Sequence, residues 1–255
     1  MTCQPILELN NITVDKRLTT LSESVIAKEQ IHLVGLNGSG KSTLLSAIAG
    51  ILPYSGKIHL NGRNLCDYRQ HELAKYRAWF SQSVSVPIMP VYQYLDMYRP
   101  DSAPLDQSES VLYELCRQLK LTSLLSSSIG QLSGGEWQRV RLAGVFLQIW
   151  PELNPNGKLL LLDEPTNNLD ITQQAVLDQL IKQFCSLGGS VLMSSHDLNH
   201  TYEQATSVWL LSHGKLLVSG IPQNVMTNQN LSEIFEVNIR HIQNTSYKLW
   251  RVDHL

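Results

Sequence analysis

The 255-residue sequence carries little charge, and it has no excess of positive charge. Charged residues make up 16% of the chain, the formal net charge is −2 and the isoelectric point is near 6.4. Proteins that bind nucleic acid through its phosphates usually have a basic surface, which this composition does not provide. We therefore expect no nucleic-acid partner.

Long hydrophobic runs are also missing. The best candidate, residues 142–150, is nine residues long and is interrupted by Gln148, whereas a helix needs about 20 apolar residues to cross a bilayer. The first ten residues lack the basic-then-apolar layout of a signal peptide. The sequence thus predicts neither a membrane span nor an export signal.

Cysteine is scarce and scattered, which favours free thiols in a reducing compartment over disulfides or a zinc site. The four cysteines are Cys3, Cys66, Cys116 and Cys185, with no CxxC pair. What the chain does have is 43% hydrophobic residues, enough to bury a substantial core. This composition excludes disorder as the dominant state and is typical of one large domain, or of a core with a subdomain.

Short apolar runs of strand length alternate along the chain with stretches of helical periodicity. The helix expected from Lys41 has apolar residues three and four positions apart, ends at Gly50 and is followed by Pro53. Strands connected through helices build mostly parallel sheets. The sequence therefore predicts an α/β fold. The expected strands are residues 31–34, 159–162, 190–194 and 207–211.

Two regions depart from this alternation. Residues 57–60 followed by Asn61-Gly62 predict a hairpin, and with it a small antiparallel sheet near the N-terminus. Residues 84–150 contain four prolines, at positions 87, 90, 100 and 104, followed by apolar residues at helical spacing, which predicts a helix-rich insertion. We expect a core of residues 1–83 and 151–235, a helical subdomain at 84–150, and a C-terminal extension at 236–255 with two short strands.

A glycine-rich segment lies between the first predicted strand and the helix that follows it. Its sequence, GLNGSGKST, fits the pattern GxxxxGK[ST], in which glycines let successive backbone N–H groups face phosphate oxygens. The helix N-terminus adds partial positive charge, Lys41 can reach the β- and γ-phosphates, and the Ser42 hydroxyl can ligate Mg²⁺. A dinucleotide site is excluded because GxGxxG would need glycine at Thr43, which leaves a turn that binds nothing as the alternative. The expected nucleotide-binding residues are Gly35, Leu36, Asn37, Gly38, Ser39, Gly40, Lys41, Ser42 and Thr43.

Two acidic residues directly follow the apolar run 159–162. Asp163 is delivered to the carboxyl edge of the sheet, where it can hold Mg²⁺ through water. Strand alternation places Glu164 on the opposite side, where it can be aimed at an attacking water. Such a pair can also form an ordinary turn, but behind a phosphate loop we predict a metal-holding Asp163 and a catalytic Glu164.

The sequence LSGGE, ahead of an apolar helical run, indicates a second anion site. Ser133, Gly134 and Gly135 would offer a hydroxyl and free N–H groups at a helix N-terminus. Ser133 is also a typical capping residue, which is the structural alternative. The chain thus has two segments suited to bind phosphate, but only the first of them carries a lysine. A single enclosed site does not explain this pair.

In this order, the phosphate loop, LSGGE, LLLLDEP and SSHD resemble the motifs of the nucleotide-binding subunits of ABC transporters. The resemblance covers essentially the whole chain. It implies a P-loop NTPase (RecA-like) core with a mostly parallel sheet, an N-terminal antiparallel β subdomain and a helical subdomain. It also implies an ATPase that uses ATP and Mg²⁺.

The resemblance assigns roles to residues that carry no signal of their own. Gln82 would be the glutamine-loop residue that senses Mg²⁺ and the membrane partner, and His196 would contact the γ-phosphate. The LSGGE segment would act in trans, on the nucleotide of the other subunit, and Asp170 would end the loop that crosses the dimer interface. Taken alone, Gln82 would be an ordinary polar residue. The implied catalytic residues are Glu164, His196 and Lys41, and the implied metal site is Ser42, Gln82 and Asp163.

The resemblance also implies partners. These are a homodimer of ATPase subunits in the ATP-bound state, two transmembrane permease subunits, and a periplasmic substrate-binding protein reached through the permease. The chain would then be peripheral, on the cytoplasmic face of a bacterial inner membrane. Soluble ABC proteins of translation or DNA repair generally carry two cassettes or a long coiled-coil insertion, neither of which is found here. A P-loop GTPase or kinase would leave LSGGE unexplained.

Within the family, GEWQRVRLAG, LLLLDEPTNNLD, SSHDLNHT and residues 150–158 are similar to the ATP-binding subunits of bacterial cobalamin (vitamin B12) importers. This similarity implies that ATP hydrolysis by the chain energises vitamin B12 uptake across the inner membrane. ATPases of iron–siderophore and haem importers share the core motifs and are the alternative. Trp137 either belongs to this similarity or is an exposed aromatic on a helix face.

The sequence departs from the family pattern at one place. The family usually has an aromatic residue upstream of the phosphate loop that stacks on adenine, but residues 7–34 contain no Phe, Tyr or Trp. We expect the planar guanidinium of Arg17 to be the substitute, or the base to be held loosely.

Overall fold

The computed structural model describes residues 4–82, 84–243 and 248–252. In chain order its strands and helices are β1 (Leu7–Val14), β2 (Leu18–Val25), β3 (Gln30–Val34), α1 (Lys41–Ile48), β4 (Ser55–Leu60), β5 (Arg63–Asn64), α2 (Gln70–Leu73), β6 (Arg77–Phe80), α3 (Val91–Asp96), α4 (Leu105–Gln118), α5 (Gly134–Ile149), β7 (Leu159–Leu162), α6 (Ile171–Ser186), β8 (Ser190–Ser195), α7 (Leu198–Gln204), β9 (Ser207–Ser212), β10 (Lys215–Gly220), α8 (Pro222–Val225), α9 (Asn228–Phe235), β11 (Ile239–Gln243) and β12 (Lys248–Val252).

The core is a six-stranded sheet in the order β10-β9-β3-β8-β7-β6, parallel except for β10. Its central strands read as continuous apolar runs because both faces are covered. Along β7, Leu159 and Leu161 pack towards α1 and the antiparallel sheet, whereas Leu160 and Leu162 pack towards α5 and α6. The predicted α/β fold and its four expected strands are confirmed as β3, β7, β8 and β9.

The N-terminal antiparallel sheet is also confirmed, with strand order β2-β1-β4-β5. Asn61 and Gly62 have φ values of 50° and 76°. Positive φ at both central residues is what a tight two-residue hairpin needs, so Asn-Gly joins β4 to β5 as the sequence predicted. The helix α1 ends as expected too, since Gly50 follows it with φ 72°.

Between β6 and β7 the chain is mostly helical, with α3, α4 and α5 packed together. Trp137 on α5 is half-buried and meets the Tyr94 ring edge-on at 4.9 Å between centroids. The alternative of an exposed aromatic on a helix face was therefore wrong, because α3 covers that face. Trp150 and Leu153 are buried after α5, and the Asn154 amide donates to the Gln148 and Lys75 carbonyls. Residues 150–158 thus close the end of α5.

The two expected C-terminal strands are present as the hairpin of β11 and β12, which lies against α7. Cys66, Cys116 and Cys185 carry free thiols as predicted, and Cys3 lies outside the described residues. No helix in the described part of the chain is long and apolar enough to cross a membrane. The division into a core (1–83 and 151–235), a helical subdomain (84–150) and an extension (236–255) stays a prediction.

Candidate active site

The predicted phosphate loop connects β3 to α1, the arrangement that aims backbone N–H groups and a helix N-terminus at an anion. Gly38 and Gly40 have φ values of 80° and 104°, which side chains rarely allow. A Cβ on Gly35 would lie 2.1 Å from the Leu211 carbonyl oxygen, so only glycine fits there. The Ser39 hydroxyl is buried in the loop and has no hydrogen-bond partner among the residues that the structure describes. The segment is therefore built as a cradle with an unsatisfied polar group.

Lys41 closes this cradle with its ammonium group. Its Nζ donates to the carbonyls of Gly35 and Leu36 at 2.8 and 3.0 Å. Burial lowers the pKa of Lys41, and the nearby carboxylates of Glu164 and Asp163 work against that shift. A buried cation whose hydrogen-bond partners among the described residues are two carbonyls is suited to bind phosphate oxygens.

Asp163 is buried beneath the loop, where it contacts Ser42. The Ser42 hydroxyl donates to Asp163 Oδ1 at 3.0 Å, and the Ser194 hydroxyl donates to the same oxygen at 2.7 Å. A hydroxyl and a carboxylate side by side form the oxygen donor set that Mg²⁺ prefers. Ser42 and Asp163 therefore fit a magnesium site, whereas Gln82, the third residue of the predicted set, contacts Glu164 in this structure.

Glu164 reaches the cleft by a route that strand alternation did not predict. The strand β7 ends at Leu162, and Glu164 has a φ of 49°, in the left-handed region. Its backbone N–H donates to the Ser194 hydroxyl at 2.7 Å. The expectation that Glu164 continues the strand on the opposite side was wrong, because the backbone turns here. This turn brings both acids to the phosphate loop.

Three side chains converge on the Glu164 carboxylate. Gln82 and Asn167 donate their amide N–H groups to Oε2 at 2.8 and 2.7 Å, and His196 Nε2 lies 2.7 Å from Oε1. Burial would raise the pKa of Glu164, but these hydrogen bonds, first that of His196, outweigh it and the pKa is lowered. The carboxylate is thus ionised at neutral pH, and its oxygens accept hydrogen bonds from these three neighbours.

His196 is placed by the segment between β8 and α7. Asp197 caps α7, since its carboxylate accepts from the N–H groups of Asn199 and His200 at 2.9 and 3.0 Å. The His196 ring is about half exposed at 42% and faces the same cleft as Glu164. The structure therefore brings Lys41, Glu164, His196 and Gln82 together, as the predicted roles require.

Ser133 and Asp170 lie apart from this group. Ser133 caps α5 in a capping box: its hydroxyl accepts from the Glu136 N–H at 3.3 Å, and its own N–H donates to the Glu136 carboxylate at 2.8 Å. Asp170 caps α6 through its carboxylate, which accepts from the Gln173 N–H at 2.8 Å. Neither residue lines the cleft of its own chain, and neither do Gly134 and Gly135.

The cleft itself has a volume of about 860 Å³. Beyond the predicted residues it is lined by two turns, one carrying Lys16 and Arg17 and one carrying His213 and Gly214. The turns are tied together, because the Thr19 N–H and hydroxyl both donate to the Gly214 carbonyl, at 2.7 and 3.0 Å. Sequence reasoning missed Lys16 and His213, which carry no motif, and Asn167, which follows the DEP sequence by two residues.

A fold with this sheet, this loop and this cluster of acids has known counterparts. Residues 18–167 match the family model described as ABC transporter. The chain belongs to the ABC transporter family. Its fold is also that of a solved structure described as the ATP binding subunit of an ABC transporter, with a TM-score of 0.78 and 23% identity over 91% of this chain and 94% of the other.

Close relatives are similar over nearly the whole length. The vitamin B12 import ATP-binding protein BtuD of Photorhabdus laumondii is 55% identical, over 97% of this chain and 97% of the relative. The protein of the same name from Yersinia pseudotuberculosis is 50% identical, over 96% and 97%. The predicted family and fold class are confirmed, and with them an ATPase of the ABC type. Family membership also implies ATP as the nucleotide and membrane permease subunits as partners.

Proposed function

We propose that the chain is the ATP-hydrolysing subunit of an importer that carries vitamin B12 across a bacterial inner membrane. Relatives named for vitamin B12 import are 43–55% identical over at least 96% of the chain, which supports this substrate. The observation that carries the ATPase role is the convergence of Lys41, Glu164 and His196 on one cleft above the phosphate loop.

In this proposal the phosphates of ATP lie in the cradle formed by residues 35–43. Lys41 leaves its carbonyl partners for the β- and γ-phosphates, and the base lies towards Arg17 and His213. Ser42, Asp163 and Gln82 would hold Mg²⁺. The metal would neutralise charge that develops on the phosphates during hydrolysis.

Hydrolysis then depends on freeing the Glu164 carboxylate. When His196 and Gln82 turn away from Glu164, His196 towards the γ-phosphate, the carboxylate loses two of the three side-chain donors that the described residues supply. Its basicity rises, and it can orient a water and take its proton. His196 would position the γ-phosphate through a hydrogen bond with a ring nitrogen.

The second half of the proposal is a homodimer. Ser133, Gly134 and Gly135 are exposed or half-exposed at the N-terminus of α5 and lie outside their own cleft. They would close over the nucleotide of the partner subunit, with Asp170 at the end of the connecting loop. The dimer would sit on the cytoplasmic face of the membrane, beneath two permease subunits that receive vitamin B12 from a periplasmic binding protein.

Lys41→Ala should weaken ATP binding strongly, because the only ammonium in the cradle is removed from three phosphate charges. A buried charge-assisted contact of this kind is worth roughly 1.5–3 kcal/mol, or about 10- to 150-fold in affinity. Equilibrium titration with a fluorescent ATP analogue measures the change, and Lys57→Ala, at an exposed position of β4, is the control. Unchanged affinity would show that residues 35–43 form a turn that does not bind nucleotide.

Choice of substrate is tested by uptake in cells. A strain that lacks its vitamin B12 import ATPase and expresses this chain should regain vitamin B12 uptake, but no uptake of ferric siderophore or haem beyond the background. Expression of the Glu164→Gln variant should restore nothing. Restored uptake of siderophore or haem alone would assign the chain to the alternative importer.

A further inference from the structure

A chain of buried polar groups runs from the centre of the sheet to the segment that carries His196. His32, in the middle of β3, is fully buried. Its Nε2 lies 3.1 Å from the Gln30 amide nitrogen, and its Nδ1 lies 3.0 Å from the Thr201 hydroxyl on α7. Neither His32 nor Thr201 belongs to the active site described above.

The hydrogen bonds of this chain all point the same way. Because an amide nitrogen can only donate, His32 Nε2 accepts and Nδ1 carries the proton towards Thr201. The Thr201 hydroxyl donates to Ser195 Oγ at 2.9 Å, and the Ser195 hydroxyl donates to the Asp197 carbonyl at 3.4 Å. We call these five residues the His32 relay. It ends on the residue next to His196.

A polar relay at this place is costly to maintain. Burial, with a smaller contribution from the neighbouring His200, lowers the pKa of His32 to about 3, so the ring is neutral. Val34 and Val208 lie beside His32 on the same face of the sheet, where apolar side chains pack well. Each buried polar group left without a partner would cost about 1–3 kcal/mol. Stability alone therefore does not account for the choice of these residues.

The other side of α7 is fixed as well. His200 Nε2 lies 2.9 Å from Asp178 Oδ1 on α6, and its ring stacks on His32 with 5.8 Å between centroids. The helix cannot shift along the sheet without breaking one of these contacts. Between β8 and α7 the chain passes through His196 and Asp197, and the Asp197 carbonyl accepts the last hydrogen bond of the relay.

We propose that the His32 relay positions His196, by fixing the Asp197 carbonyl and with it the direction in which the His196 ring enters the cleft. His32, Thr201 and Ser195 are then positioning residues that never touch the nucleotide. The inference rests on the proposed role of His196 at the γ-phosphate. The proposal gives a role to the buried contact between His32 and the Thr201 hydroxyl, which are 169 residues apart in sequence.

Thr201→Val tests the relay, since it removes the hydroxyl and keeps the shape. The variant should lower kcat for ATP about 10- to 100-fold, as expected for a small misplacement of a catalytic group, and leave ATP affinity unchanged. Thr201→Ser, which keeps the hydroxyl, should restore kcat. Equal kcat in the valine variant and the unmodified protein would overturn the proposal.

A matched pair of serines on β8 separates positioning from stability. Ser195→Ala cuts the relay, whereas Ser190→Ala removes a hydroxyl that bonds the Ile26 carbonyl at the opposite end of the strand. Both should lower the melting temperature, but only Ser195→Ala should lower kcat. An equal loss of kcat in both variants would show that the relay is merely structural.

Histidine ring ¹⁵N NMR reads the position of His196 without turnover. In the full chain, the His196 ring signals should move in Thr201→Val and stay in place in Ser190→Ala, and His32 should show the Nδ1–H tautomer. If these signals behave so while the unmodified chain hydrolyses no ATP, the relay stands and the proposed function fails. If the His196 signals stay in place in Thr201→Val, the relay is refuted whatever the turnover.

Discussion

Glu164→Gln should abolish ATP turnover and leave ATP bound. The amide keeps the size and shape of the carboxyl group but cannot take a proton from water, so the loss should be at least the roughly 10²–10⁴-fold typical of a missing general base. The residues of the phosphate cradle are untouched, and affinity for ATP should therefore be retained. Steady-state phosphate release and ATP titration measure the two effects separately.

The matched control is Glu152→Gln, an acid on the exposed turn after α5. It makes the same chemical change away from the cleft and should keep full turnover. A further sign of the proposed role is a long-lived, ATP-loaded dimer of Glu164→Gln, visible by size-exclusion chromatography. Near-normal hydrolysis by Glu164→Gln would show that Glu164 is not the general base. Loss of ATP binding would show instead that Glu164 is needed to bind the nucleotide.

Ser133→Arg should block hydrolysis without preventing ATP binding to the isolated subunit. Ser133 is exposed at the start of α5 and lies outside its own cleft, so a bulky cation there leaves the cradle of the same chain intact. In the proposed dimer, however, the arginine would occupy the space between the subunits. Turnover should fall to background.

Mixing Ser133→Arg with Lys41→Ala gives the sharper result. In a mixed dimer one composite site carries both lesions and the other carries neither, so part of the ATPase activity should return although neither variant has activity alone. If each chain used only its own residues, mixing would restore nothing. Differently tagged subunits show by pull-down whether mixed dimers form, and proven mixing without recovery would contradict the shared site.

Much of the fold could be predicted because its signals are local. The run of four leucines before Asp163 became β7 without a shift of its ends, and Ser133 capped α5. The strand β6 was missed, since its first residue, Arg77, is a charged side chain that is buried. Its guanidinium donates to the Ala49 carbonyl, a contact that only the folded chain makes.

In the candidate active site, too, the features set by neighbouring residues could be predicted and those set by distant contacts could not. The phosphate loop and the two acids follow from adjacent residues, whereas the left-handed turn at Glu164 depends on the Ser194 hydroxyl, 30 residues further on. Gln82 and His196 were found only through resemblance to a family, because their partner Glu164 is far away in sequence. The His32 relay could not be predicted at all, since a lone histidine in an apolar strand carries no motif.

The central claim is that ATP hydrolysis at this cleft drives vitamin B12 transport, and a reconstituted system tests it most directly. The vesicles contain the permease subunits with this chain, oriented so that the periplasmic face points into the lumen. The lumen is loaded with binding protein and vitamin B12, and Mg-ATP is supplied outside. Vitamin B12 should leave the lumen only when ATP is present. With Glu164→Gln the flux should vanish although ATP still binds. Equal flux with the variant, or with no ATP, would contradict the account.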